Sequence, residues 1–99
     1  MRLTLQQIQT IRAVAVKTAG DNARIRVFGS RLDDAARGGD LDLMIELSDP
    51  VENPALLAAR ISARVSRTLQ GRKVDVLISA PNLQRLPIHD VAYQEGVLI

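Results

Sequence analysis

A chain of 99 residues suits one compact domain over residues 1–99, and 46% hydrophobic residues are enough to build a core. Phe28 and Tyr93 are the only aromatics, so that core must be aliphatic, and no platform exists for stacking single-stranded bases. Thirteen basic and eleven acidic residues are interspersed to a net charge of +2, which calls for neither direct nucleic-acid contact nor a membrane partner, and the absence of cysteine excludes disulfides and thiolate metal sites.

Leu3 to Ala19 reads as a helix, because Leu5, Ile8, Ile11, Ala15 and Ala19 recur at three- and four-residue spacing. Gly20-Asp21-Asn22 stops it. Arg24 to Phe28 alternates charged and apolar residues as a strand with one wet face, and Gly29-Ser30 ends it. Arg31 to Gly39 is polar, with a short helical segment expected around Asp33 to Arg37. Asp40 to Leu47 alternates strictly. Asp40, Asp42, Met44 and Glu46 take one face, and Leu41, Leu43, Ile45 and Leu47 the other, which must be the core.

Ser48-Asp49-Pro50 breaks that strand. Asn53 can cap a helix that starts at Pro54 and runs to about Gln70, with Leu57, Ile61, Val65 and Leu69 four apart and Gly71 just past its end. Lys73 to Ser79 is a third strand, with Val74, Val76 and Ile78 opposite Asp75 and Leu77. Pro81 opens a short segment, Pro87 interrupts it, and Ile88 to Glu95 forms a last helix. The apolar tail Val97-Leu98-Ile99 fits either an edge strand or a partner interface. This order predicts an α/β (α+β) fold: a small mixed sheet of about three strands with helices packed on one face. No apolar run approaches the ~20 residues of a membrane span. Met1 to Gln9 lacks a signal-peptide core, so a cytoplasmic location is expected.

The chemistry concentrates in the acids. Period two puts Asp40 and Asp42 on one strand face, about 7 Å apart. Like charges on one face repel unless a cation lies between them, and Mg²⁺ favours a few carboxylates together with phosphate oxygens and water. Asp75 sits in the middle of another apolar strand. If the strands are neighbours, three carboxylates converge on a site able to run an in-line phosphoryl or nucleotidyl displacement. Asp is disfavoured in strands, which sets this pattern apart from two solvated aspartates on a wet sheet. Gly29-Ser30 directly follows a strand, where glycine permits a tight turn and the Ser30 hydroxyl with the turn N–H groups can receive phosphate oxygens. Gly38-Gly39 would let the backbone bring Asp40 to a metal.

Together, strand–Gly29-Ser30, nine residues, then Asp40-Leu41-Asp42, with Asp75 on a later strand, resemble the polymerase-beta-type nucleotidyltransferase superfamily. The closer resemblance is to the minimal nucleotidyltransferases (MNT) of MNT/HEPN toxin–antitoxin modules, and it covers nearly the whole chain. It implies Mg²⁺ as cofactor and ATP as substrate. It implies that Gly29, Ser30 and Arg31 meet the nucleotide's phosphates. It also implies that Asp40 and Asp42 bind the metal, and that Asp75 completes the site and helps deprotonate the acceptor. The expected reaction is transfer of AMP to a hydroxyl, in particular a tyrosine of a HEPN-domain toxin, which makes the chain an antitoxin and part of a hetero-oligomer. The chain departs from the family pattern at Asp33 and Asp34, which add negative charge beside the expected phosphate site. A weakly catalytic antitoxin that acts by binding is therefore a second reading.

Four other features bear on function. Arg60, Arg64 and Arg67 form a basic stripe on the second long helix, either a solvated face or a docking surface for an acidic partner or RNA, so a nucleic-acid-binding adaptor is a third reading. His89, the only histidine, is expected to cap a helix or lie exposed near Pro87. Lys73 would share the Asp75 face, either touching phosphate or lying solvated at an edge. Glu46 continues the Asp40–Asp42 face but lies too far along it to join a metal site.

Overall fold

The computed structural model describes residues 3–29 and 41–99. Ser30, Arg31, Asp40, the Gly38-Gly39 pair and the short helix expected around Asp33 to Arg37 lie outside the described residues.

The first helix, α1, spans Leu5–Ala19. It starts two residues later than the apolar periodicity suggests because Thr4 caps it. The Thr4 hydroxyl accepts the Gln7 N–H at 3.0 Å, and the Gln7 side chain accepts the Thr4 N–H at 2.9 Å. Strand β1 spans Arg24–Phe28 and β2 spans Leu41–Glu46. Helix α2, Pro54–Thr68, opens on the Asn53 cap, which accepts the Leu56 N–H at 3.1 Å, with Pro54 in the first turn as expected. Gln70 and Gly71, at φ 63° and 82°, take the left-handed conformation that ends it, and the Gly71 N–H bonds back to the Ser66 carbonyl. Strand β3 is Val74–Ser79, α3 is Pro87–Glu95 and β4 is Val97–Leu98. Pro87 opens α3 where the sequence suggested an interruption, because its missing N–H costs nothing at a first helical position.

The sheet order is β3-β2-β1-β4. β1 runs antiparallel to β2 and β4, and β2 runs parallel to β3, so the sheet is mixed as expected. The apolar tail supplies the fourth strand, settling one of its two readings as an edge strand. Ile25, Val27, Leu41, Leu43 and Ile45 point to one face and meet Ile11 and Ala15 of α1 and Ile61 and Val65 of α2 in the main core. Each buried Val, Leu or Ile contributes about 1.5–3 kcal/mol by leaving water.

The second face corrects the sequence reading. Helices do not pack on one face alone: α3 lies over the other, and Ala92 and Tyr93 pack with Phe28, Met44 and Leu77. Met44, expected on the wet face with Asp42 and Glu46, is fully buried. The strand alternation is right, but a nine-residue helix closes back over the middle of that face. Among the described residues, no helix is long and apolar enough to cross a membrane.

Candidate functional site

Pairing register sets the site. Phe28 faces Asp42 across β1–β2, and Asp42 faces Asp75 across β2–β3. The next rows on this face are Arg26–Met44–Leu77 and Arg24–Glu46–Ser79. The register is held by the opposite face, where Leu43 pairs with Val76 and Ile45 with Ile78. A one-residue slip of either strand would turn its aspartate toward the aliphatic core.

Asp42 and Asp75 are therefore direct neighbours on adjacent parallel strands, about 4.8 Å apart across the sheet. Asp75 is exposed and Asp42 partly buried. Two carboxylates so placed repel, a cost of up to about 1 kcal/mol that a cation would turn into an attraction. Gly29 ends β1 beside them with φ 79°, and a Cβ there would overlap the Asp42 Oδ2 oxygen and lie 3.2 Å from its Cγ. Only glycine fits: the conformation disfavours side chains, and the space a side chain would need is filled by the carboxylate.

Of the sequence-predicted site residues, Gly29, Asp42 and Asp75 thus come together at one end of one sheet face. Ser30, Arg31 and Asp40 lie outside the described residues. Among the described residues no group of three metal-ligating side chains forms. The donors present, two aspartate carboxylates, are hard oxygen ligands of the kind Mg²⁺ takes in ones and twos alongside substrate phosphates. Lys73 precedes β3 as an exposed residue, its carbonyl accepting the Leu41 N–H at 3.0 Å.

A second polar cluster occupies the far end of the same face, and the sequence reading missed it. Tyr93 Oη donates to Glu46 Oε2 at 2.9 Å and lies 2.9 Å from Ser79 Oγ. The phenol has one hydrogen and gives it to the carboxylate, so the serine hydroxyl donates to Oη. The Arg85 and Arg26 guanidinium carbons stand 4.5 Å and 5.1 Å from the ring centroid. Glu46, Ser79, Arg85, His89 and Tyr93 line a cleft of about 250 Å³. Glu46 is four residues beyond Asp42, about 13 Å along the strand, so it takes no part in the aspartate pair. Alternation alone puts Glu46 on the Asp42 face of its strand and Ser79 on the Asp75 face of its own, but their pairing needs the strand order, and the place of Tyr93 depends on where α3 lands.

His89 does the capping expected of it but is buried, at 4% exposure. Its Nδ1 accepts the Leu86 N–H at 2.9 Å, so Nε2 carries the proton and donates to the Ile78 carbonyl at 2.9 Å. Both nitrogens are committed to structure.

No protein-family model and no curated protein matches this sequence.

Proposed function

We propose that this chain is a Mg²⁺-dependent nucleotidyltransferase that moves AMP from ATP to a hydroxyl, with a tyrosine of a HEPN-domain partner as the acceptor. The observation that carries this reading is the Asp42 carboxylate packed against Gly29 with Asp75 directly beside it on the next strand. The glycine lets the Asp42 carboxylate close up against the end of β1, and adjacent carboxylates are the oxygen donors that Mg²⁺ takes alongside phosphates. Asp42 and Asp75 would hold the ion, and Asp40, two residues before Asp42 in the sequence, is the third carboxylate of this proposal. Bound there, it would supply charge stabilisation to the phosphoryl oxygens.

The chain's own residues have three tasks. Gly29 leaves room for the Asp42 carboxylate at the end of β1. Asp42, partly buried against that glycine, is held in place by the packing around it. Asp75, exposed, can take the proton of the incoming hydroxyl on a carboxylate oxygen. The hydroxyl oxygen bonds to the α-phosphorus, the bond from that phosphorus to the bridging oxygen breaks, and pyrophosphate leaves.

A second reading, an antitoxin that works by covering its partner, is favoured by the exposed apolar side chains Ile88 and Val91 on α3 and Val97 and Leu98 on β4. One experiment separates the two. The protein is mixed with ATP, Mg²⁺ and the product of the neighbouring reading frame, and the masses of both chains are measured. A gain of one AMP on the partner, lost in Asp40→Ala and Asp42→Ala, is expected. A gain that survives both changes overturns the carboxylate mechanism. No gain, with the partner still neutralised by Asp42→Ala, selects the binding antitoxin.

A further inference from the structure

The fold sorts charges that the linear sequence interleaves. Helices α1 and α2 carry Arg12, Lys17, Arg60, Arg64 and Arg67 and not one Asp or Glu. Eight of the thirteen cations and all eleven acids lie elsewhere. A chain of net charge +2 is thus a helical layer of +5 against a remainder of −3. All five cations are exposed, and none forms an ion pair among the described residues.

The two helices run antiparallel. Arg64 Nη1 donates to Thr18 Oγ1 at 2.9 Å, while Val14, earlier in α1, shares a cleft with Arg67 and Thr68, later in α2. That cleft, of about 330 Å³, is lined by Val14, Lys17, Thr18, Arg64, Arg67 and Thr68. The Thr18 bond uses one of the five guanidinium donors of Arg64 and fixes the side chain across the helix pair, leaving the others for a ligand. Arg60 continues the row along α2, one turn before Arg64.

We propose that this helical layer binds the phosphate backbone of a nucleic-acid duplex, through Lys17, Arg60, Arg64 and Arg67, without reading sequence. The cations are mostly arginine, whose planar fork matches phosphate oxygens two at a time. Both aromatics, Phe28 and Tyr93, lie on the far side of the sheet, so the layer has no ring on which a single strand could stack. An acidic protein partner would need a central apolar anchor. The exposed large apolar residues of α1 and α2 are Leu5 and Leu56, one in the first turn of each helix and hence at opposite ends of the antiparallel pair. Among the described residues, the other exposed large apolar side chains lie on α3, on β4 and at Leu86. The layer covers the sheet face opposite Asp42 and Asp75, so it is separate from the aspartate site.

The test is fluorescence anisotropy with labelled 20-base-pair DNA and RNA duplexes of scrambled sequence, from 50 to 200 mM salt, with poly-glutamate of equal charge as the competing polyanion. Four phosphate contacts predict a log–log salt slope of about −3.6 and an affinity loss on the order of 10² over that range. Arg60→Gln with Arg67→Gln, whose side chains make no hydrogen bond among the described residues, should bring the slope to about −1.8 and weaken binding to either duplex. Three results would each overturn the proposal: no duplex binding at 50 mM salt, a slope unchanged in the double variant, or poly-glutamate displacing the duplex at equal charge. The last would assign the layer to an acidic protein. A thermal melt of the double variant matching the parent shows that the loss lies in binding and not in folding.

Discussion

At the scale of single residues, the aspartate pair sets stability against chemistry. Asp42 and Asp75 stand in direct register, and nothing among the described residues forms an ion pair with Asp75. Like charges in direct register repel, and replacing one of them with a neutral group removes that repulsion. Asp75→Asn keeps the shape, removes one charge and can donate a hydrogen bond toward Asp42. Its expected effect, measured by thermal melting with EDTA present, is a stabilisation of up to about 1 kcal/mol. If the proposed function holds, the same variant should lose AMP transfer. A variant that melts lower than the parent would mean that Asp75 makes a stabilising contact and is not held against a like charge. Active sites commonly carry such local costs, and relieving them stabilises at the expense of function.

At the scale of elements, the sequence was most legible where local chemistry decides. Asn53-Pro54 and Gly71 mark the ends of α2 by capping and by left-handed backbone, needing no tertiary partner. The alternation in β2 and β3 placed Asp42 and Asp75 on their faces, since a strand has only two. What could not be read was which strands are neighbours and what covers the second face. Phe28 and Met44 look like residues of a wet face until α3 is known to lie on them. The tail was ambiguous because two or three apolar residues satisfy an edge strand and an interface equally. Its pairing now makes a sharp prediction. The Ile99 N–H bonds to the Ile25 carbonyl at 2.9 Å, so residues 25 and 99, and by alternation 27 and 97, are hydrogen-bonded pairs, while the Leu98 N–H points away from the sheet. Val97→Pro should therefore cost about 1–3 kcal/mol through a lost ladder bond, and Leu98→Pro much less. Urea unfolding of the two variants checks this, and equal losses would refute the register.

At the scale of the molecule, two features emerge that no local segment shows: the segregation of charge onto one helical layer, and the treatment of the sheet's two edges. β4 covers the outer edge of β1. Among the described residues, no strand lies beside the outer edge of β3. Leu41 and Leu47 donate to the carbonyls of Lys73 and Ser79, so the odd-numbered residues of β3 bond inward to β2 and the even-numbered ones face out. Two of those outward carbonyls are taken by side chains from the flanking helices. Ser62 Oγ of α2 donates to Val74 at 2.5 Å, and His89 Nε2 of α3 donates to Ile78 at 2.9 Å. An incoming strand would have to displace both, and exposed edges are where sheets otherwise join. Ser62→Ala combined with His89→Ala should free the two acceptors. Each change costs about 1–3 kcal/mol from a buried group left unpaired, with the Leu86 N–H losing its partner as well. Beyond that loss, sedimentation of the double variant should show concentration-dependent association that the parent lacks. A double variant that is destabilised yet stays monomeric at every concentration would show that the two side chains serve only to hold the helices in place.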